Sequence, residues 1–359
     1  MEALQKYNQG TVVECLHKDP NVLGMKTLKY VFWAFKPCID AFQYCRLVIS
    51  VDGTYLYTKY RYKMLTVVTL DANQRVLPLA YAIVDEGTFN SWNWFLQMLS
   101  TYVIRGREDV CFISDRHPGI IRSVERMAEF QPPNAHHHFC VRHVVSNFHS
   151  RYKNVTLKDL CWQAGAHVRI RTFEKIMEEI KKYSEDTHSY LDAIDKTKWT
   201  LSHDDGRRYG ILTTNISECM NSVLKGARRL PISALVRFTL TRTAKCLYKR
   251  MEDVAMAMES KKMWPDEILQ KYHKQQRLAL NHSVQMYDFQ TQTTSVITIA
   301  PGKSRVRTFR VKLSAQECSC RQWKSDGIPC SHAMQACKYV NIDPTNFMKS
   351  YYSTSTYTG

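Results

Sequence analysis

Nowhere does this 359-residue sequence contain an apolar run approaching the roughly 18–20 residues a membrane span needs, which argues against a membrane protein. It opens on no secretory signal, since Met1 leads into a polar segment. Its twelve cysteines are not framed as pairs in a small domain but scattered. That excludes a disulfide scaffold and points to a reducing compartment, with thiols available for metal. The stretch Pro301-Gly302-Lys303-Ser304 lacks the first glycine of a phosphate-binding loop, so it reads as a turn and not a nucleotide site. Acid is also short: 33 Asp and Glu face 50 Lys and Arg, a formal net charge of +17. The shortage is local. Residues 1–140 hold 15 basic and 13 acidic side chains, and the remainder holds 35 and 20. Such an excess on one part favours a polyanion, most often nucleic acid, over a merely solvated basic surface.

What is present is a globular chain, 44% hydrophobic and long enough for two or three domains. Leu47-Val48-Ile49-Ser50-Val51 runs into Asp52-Gly53-Thr54, the pattern of a buried central strand delivering an acid to its end. Val110-Cys111-Phe112-Ile113-Ser114 runs likewise into Asp115. Each Asp could simply cap the following turn. Two such strands side by side would instead hold two carboxylates together, and like charges that close call for a cation.

The order of elements supports that pairing. Strands are expected at Leu47–Val51, Met64–Leu70 and Val76–Val84, the last two joined by a turn at Asp71-Ala72-Asn73-Gln74. Asn90 or Ser91 can cap a helix whose core stripe is Trp92, Phe95, Leu96 and Leu99. The Asp115 strand follows. Three strands, a helix and a strand ending in acid is the order of an RNase H-like fold, in which the first and fourth strands are central neighbours.

Further on, Cys140 and His143 lie three apart on one helical face, within reach of a single metal, though two ligands alone make no site and a packing and hydrogen-bonding role beside the core is the better reading. His136, His137 and His138 read as surface residues. About 144–212 is a helical insertion with stripes at Leu157, Leu160, Cys161, Ala164 and at Phe173, Ile176, Met177, Ile180. Asn215 and Glu218 are spaced as a capping box, so spacing alone leaves Glu218 either a cap or a catalytic acid. Helices continue to about residue 282. Ser283–Phe289 and Val306–Leu313 then alternate as strands of a small second domain. It ends in Cys318-Ser319-Cys320 and Cys330-Ser331-His332, the four ligands of a closed tetrahedral zinc site that would staple so small a core. Cys337 belongs to the core of the helix that follows.

Five words occur in the order seen in plant Mutator-like element (MULE) transposases: Val51-Asp52-Gly53-Thr54, Ser91-Trp92-Asn93-Trp94-Phe95-Leu96, Ser114-Asp115-Arg116-His117, Phe139-Cys140-Val141-Arg142-His143 and Thr214-Asn215-Ile216-Ser217-Glu218. The sequence resembles that family, and with it the related far-red-impaired-response transcription factors, from about Phe42 onward. The resemblance implies an α/β RNase H-like mixed-sheet core over 46–230, interrupted by the helical insertion. Next would come a helical connector over 231–282, a β-rich SWIM zinc finger over 283–340 and a tail over 341–359. It makes Asp52, Asp115 and Glu218 a DDE triad holding Mg²⁺ or Mn²⁺, and Cys140 and His143 the family's Cys-His motif. It implies zinc on Cys318, Cys320, Cys330 and His332, a nuclear location, and DNA as partner, with a second copy or another transposase-derived chain as a further one. Residues 1–45 show none of the Cys/His spacing of the DNA-recognition module that precedes the core in relatives. The alternative is a transposase-derived DNA-binding regulator without catalysis.

Overall fold

The computed structural model describes residues 2–18, 27–57, 62–85, 87–214, 220, 222–299 and 306–355. Two compact units emerge, residues 1–144 with 213–261 and 357–359, and residues 145–212 with 262–356.

The first unit is built on a seven-stranded mixed sheet. Its strands are β1 (Val12–His17), β2 (Leu28–Ala34), β3 (Val48–Tyr55), β4 (Lys63–Leu70), β5 (Val76–Val84), β6 (Val110–Ser114) and β7 (Ala135–Phe139). They lie in the order β1-β2-β5-β4-β3-β6-β7. β3, β4 and β5 form an antiparallel meander, and β6 then returns beside β3 in parallel, with β7 parallel beyond it. This is the RNase H-like order, extended at one edge by β1 and β2. Val48 to Val51 and Val110 to Ser114 are buried at every position, because both faces of a central strand are covered. The helix Phe89–Leu99 buries Trp92, Phe95, Leu96 and Leu99, as the apolar spacing predicts. Its N-cap is Thr88, whose side chain accepts from the Ser91 N–H at 3.4 Å. β1 carries no period-2 pattern because it is a half-exposed edge strand. The three histidines lie in β7, where His137 and His138, 8% and 5% exposed, are core residues and not surface ones, while His136 stays partly exposed beside Asp109.

One 28-residue helix, Ile232–Glu259, is fastened to this sheet by polar contacts. The Trp33 indole N–H donates to Thr239 Oγ1 at 3.0 Å. Arg250 Nε donates to Asp71 Oδ2 at 2.8 Å, and its Nη2 to the Val76 carbonyl at 2.7 Å. The Arg250 and Asp71 side chains are only 11% and 4% exposed. Removing one partner of such a pair strands the other charge and costs about 3 kcal/mol. Arg250→Ala should therefore lower the stability of this unit by that much, read as a lower denaturant midpoint at unchanged m-value. A loss below about 0.5 kcal/mol would mean that water replaces the guanidinium freely.

The second unit combines helices Val155–Ala166, Ile170–Tyr183 and Glu185–Asp192 with a small C-terminal sheet. Leu157, Leu160, Cys161 and Ala164 are buried, as are Phe173, Ile176, Met177 and Ile180. The sheet is antiparallel, with β8 (His282–Asp288), β9 (Thr293–Ile299), β10 (Val306–Lys312) and β11 (Glu317–Cys318) in the order β11-β10-β9-β8. Helices Asp266–Ala279 and Ser331–Tyr339 pack beside it, and Cys337 is fully buried. A loop over 200–212 joins the parts. Arg208, fully buried, donates to the carbonyls of Ile211 and Leu212 at 3.1 and 2.9 Å. Gly206 sits at φ +77°, where a Cβ would lie 2.7 Å from the Lys324 carbonyl oxygen, so only glycine permits that approach. The turn expected at Pro301–Ser304 lies outside the described residues.

Candidate functional site

Two sites take shape. The first is at the carboxyl ends of the parallel strands. β3 and β6 pair Val48 with Cys111, Ile49 with Phe112 and Ser50 with Ile113. Carried two residues on, that register aligns Asp52 with Asp115. β6 and β7 pair Val110 with Ala135 through Ser114 with Phe139. Carried one residue on, it aligns Asp115 with Cys140, and the Cys140 N–H donates to the Ser114 carbonyl at 2.8 Å. Side chains of paired parallel residues share a face. Asp52, Asp115 and Cys140 therefore form a row on the face opposite Val51 and Phe112, which pack into the main core. Both acids are half-buried.

Asp115 is also engaged locally. The His117 N–H donates to Asp115 Oδ1 at 2.9 Å, and His117 Nδ1 in turn accepts from the Gly119 N–H at 3.1 Å, capping helix Pro118–Arg126. One oxygen of Asp115 thus does the turn-capping that its position after a strand allows. Ser114 Oγ lies 2.8 Å from His137 Nε2, tying β6 to β7 on the face opposite the row.

Beside the acids, Cys140 and His143 shift each other's titration in opposite directions. Burial pushes the Cys140 thiol up, but a hydrogen bond and charge from His143 and two bonds from Thr214 outweigh it, and the net shift is downward. The Thr214 N–H and hydroxyl both donate to the sulfur at 3.3 Å. His143 is pushed up to about 9, chiefly by its hydrogen bond to Cys140, against its own desolvation and with help from the charges of Cys140, Asp52 and Asp115. Cys140 and His143 belong to no group of three or more metal-capable side chains among the described residues. Glu218, with Asn215, lies outside the described residues.

The pair has a defined pH signature. The raised His143 contributes stability that is complete below its ordinary 6.5 and lost as pH rises through about 9. The lowered Cys140 contributes stability present above the ordinary thiol value of 9.0 and lost as pH falls through its folded value. Where the two windows overlap below 9 the slopes oppose each other. An NMR titration of the His143 ring should show a midpoint near 9, falling toward 6.5 in Cys140→Ser. A wild-type midpoint already near 6.5 would disprove the imidazolium–thiolate pairing.

The second site is in the C-terminal sheet. Cys318, Cys320, Cys330 and His332 are buried, and their ligand atoms all lie within 4.8 Å of one another. His332 Nδ1 is 3.8 Å from the Cys318 sulfur and 3.9 Å from that of Cys330. Bonds of about 2.3 Å to sulfur and 2.0–2.1 Å to nitrogen set the edges of a tetrahedral zinc centre at about 3.6–3.8 Å. The set therefore fits zinc, with Nδ1 as the histidine donor. The Cys320 N–H donates to Cys318 Sγ at 3.5 Å, a contact that supports a thiolate. Hydrogen bonds from Cys318 and Cys330 drive the Cys320 thiol far down, and those two rise in return. The ring of Phe309 lies 3.9 Å from that of His332, and the His282 ring stacks on His332 at 4.7 Å and 8°. Sequence patterning finds β8 and β10 around this site but misses β9, the strand between them.

Residues 48–147 match the model of the MULE transposase domain, and residues 309–341 match that of the SWIM zinc finger. No curated protein matches the chain. The two matches support a transposase-related protein carrying a MULE domain and a SWIM zinc finger, and the buried Cys and His set supports structural zinc.

Proposed function

We propose that this transposase-related chain cuts and joins DNA through Asp52, Asp115 and Glu218, acting in the nucleus. The observation that carries the reading is the register that aligns Asp52 with Asp115 on adjacent parallel strands. Ligand sites of open α/β sheets lie outside the carboxyl ends of such strands. Two carboxylates on one face, whose joint field helps raise His143, suit a hard divalent cation. The three acids would hold Mg²⁺ or Mn²⁺, which supplies Lewis acidity for phosphodiester displacement when bound. Asp115 is fixed by its bond from His117, so its remaining oxygen is already oriented. The His143 imidazolium balances part of the acids' charge and lessens their repulsion.

A transposase domain implies DNA as partner. The basic excess after residue 140 supplies phosphate contacts without base reading. Incubating the purified chain with duplex DNA and Mn²⁺ tests the reading: strand nicks are expected, and DNA left intact across divalent ions and duplex ends refutes it. A second reading, binding without catalysis, draws on the same His117 bond, since capping alone would retain Asp115. Under it DNA is bound and never cut.

A further inference from the structure

Within the second unit, a cleft of about 1060 Å³ opens between the start of helix Ile170–Tyr183 and strands β10 and β11. Eight Lys and Arg line it against one carboxylate, Glu317. We infer that this cleft is a seat for the phosphate backbone of duplex DNA, shaped by the zinc core beneath it.

The wall explains the charge. Along β10, Thr308, Arg310 and Lys312 are exposed and Phe309 and Val311 are buried. A strand thus presents Arg310 and Lys312 on one face, about 6.6 Å apart, while its other face packs in the zinc module's core. Neither they nor Arg171 and Lys175 across the cleft form an ion pair with a carboxylate among the described residues. The opposite wall is held to the first through a stack. The Arg169 guanidinium lies 4.8 Å from the Phe309 ring centre, and that ring lies 3.9 Å from the ring of the zinc ligand His332. Ser319, between ligands Cys318 and Cys320, lines the cleft, and its Oγ accepts from the Arg310 N–H at 3.0 Å. Ordering the ligand loop therefore orders both walls.

The occupant follows from size and chemistry. Pockets for small ligands are mostly apolar with a few polar groups, whereas this one is dominated by cations and has room for several phosphates. A polyanion is the match, and duplex DNA is the one that a transposase domain handles; the inference rests on that reading and assigns it a surface.

The test compares two triple variants of the full zinc-loaded chain by fluorescence anisotropy on unrelated duplexes over a salt series. Arg171→Ala/Arg310→Ala/Lys312→Ala empties the cleft of three cations. Lys158→Ala/Lys182→Ala/Lys338→Ala removes three exposed cations outside it. Each phosphate contact contributes about 0.9 to the slope of log K against log salt, so the cleft variant should lose about 2–3 from the slope. Its affinity at low salt should fall at least about tenfold, and the control should change little. Zinc content and far-UV circular dichroism verify that both variants fold. Equal losses in the two variants would overturn the cleft and leave DNA binding spread over the surface. Preference for single-stranded RNA over duplex DNA in the wild type would overturn the assigned occupant. Failure of the wild type to bind any duplex would refute the underlying DNA reading instead.

Discussion

Cys330→Ser should release zinc from the C-terminal module and unfold it. The four ligand atoms within 4.8 Å form a closed set with no open position, so the ion is structural. The core around them is small: Val296, Phe309, Val311, Leu313, Trp323 and the helix residues Ala333, Ala336 and Cys337, besides the cysteines themselves. Structural zinc contributes apparent binding free energies of about 10–16 kcal/mol, which become folding free energy where no site exists in the unfolded chain. A core of this size cannot replace that. Amide exchange across β8 to β11 should rise by orders of magnitude, while the buried strands β3 to β6 keep their protection. The effect should also reach the loop over 200–212, because Gly206 packs on Lys324 and the Lys324 ammonium pairs with Asp205 at 2.6 Å. Zinc measured at one ion per chain in the variant, with exchange unchanged, would show that three ligands suffice and that the module folds on its apolar contacts.

Where a physical signal was local, the sequence carried it. The runs ending in Asp52 and Asp115 are apolar almost throughout because central strands are covered on both faces, and the C-terminal cysteines and His332 spell out a ligand set by spacing alone. The hairpin β4–β5 announces itself through Asp71, whose Oδ1 accepts the Arg75 N–H at 2.9 Å. Signals were absent where a strand depends on its neighbour. β7 is Ala-His-His-His-Phe, which has poor strand propensity in isolation. It is a strand because β6 pairs with it and Ser114 shares a hydrogen bond with His137. Reading those histidines as surface follows from their polarity, and burial reverses it for His137 and His138. Thr214 was visible only as the first residue of a matched word; that it donates twice to Cys140 depends on a contact 74 residues away in the chain. The joining of residues 145–212 with 262–356 is likewise carried by long-range contacts such as Arg169 on Phe309 and Tyr209 on Tyr351, which no periodicity encodes.

Asp52→Asn should abolish DNA cleavage and preserve DNA binding. On the proposed reading, Asp52 contributes a negative oxygen to the divalent cation from the end of β3, in line with Asp115. Asparagine keeps the shape and the β3–β4 register with Thr66 but offers a neutral oxygen and an N–H₂ donor. Metal ions in such centres are worth several kcal/mol of transition-state charge stabilisation, so the rate should fall at least about 10³-fold. Binding should hold or strengthen, because one negative charge leaves a surface that meets phosphate. The same substitution removes one of the charges that raise His143, so its titration midpoint should move down from about 9. That second readout separates the possibilities. Unchanged cleavage together with a lowered His143 midpoint would place Asp52 beside His143 but outside the reaction. An unchanged midpoint would break the charge row itself. Loss of cleavage with loss of binding would mark the Asp52→Asn variant as a folding defect, which Asp115→Asn, tested in parallel, should then fail to reproduce.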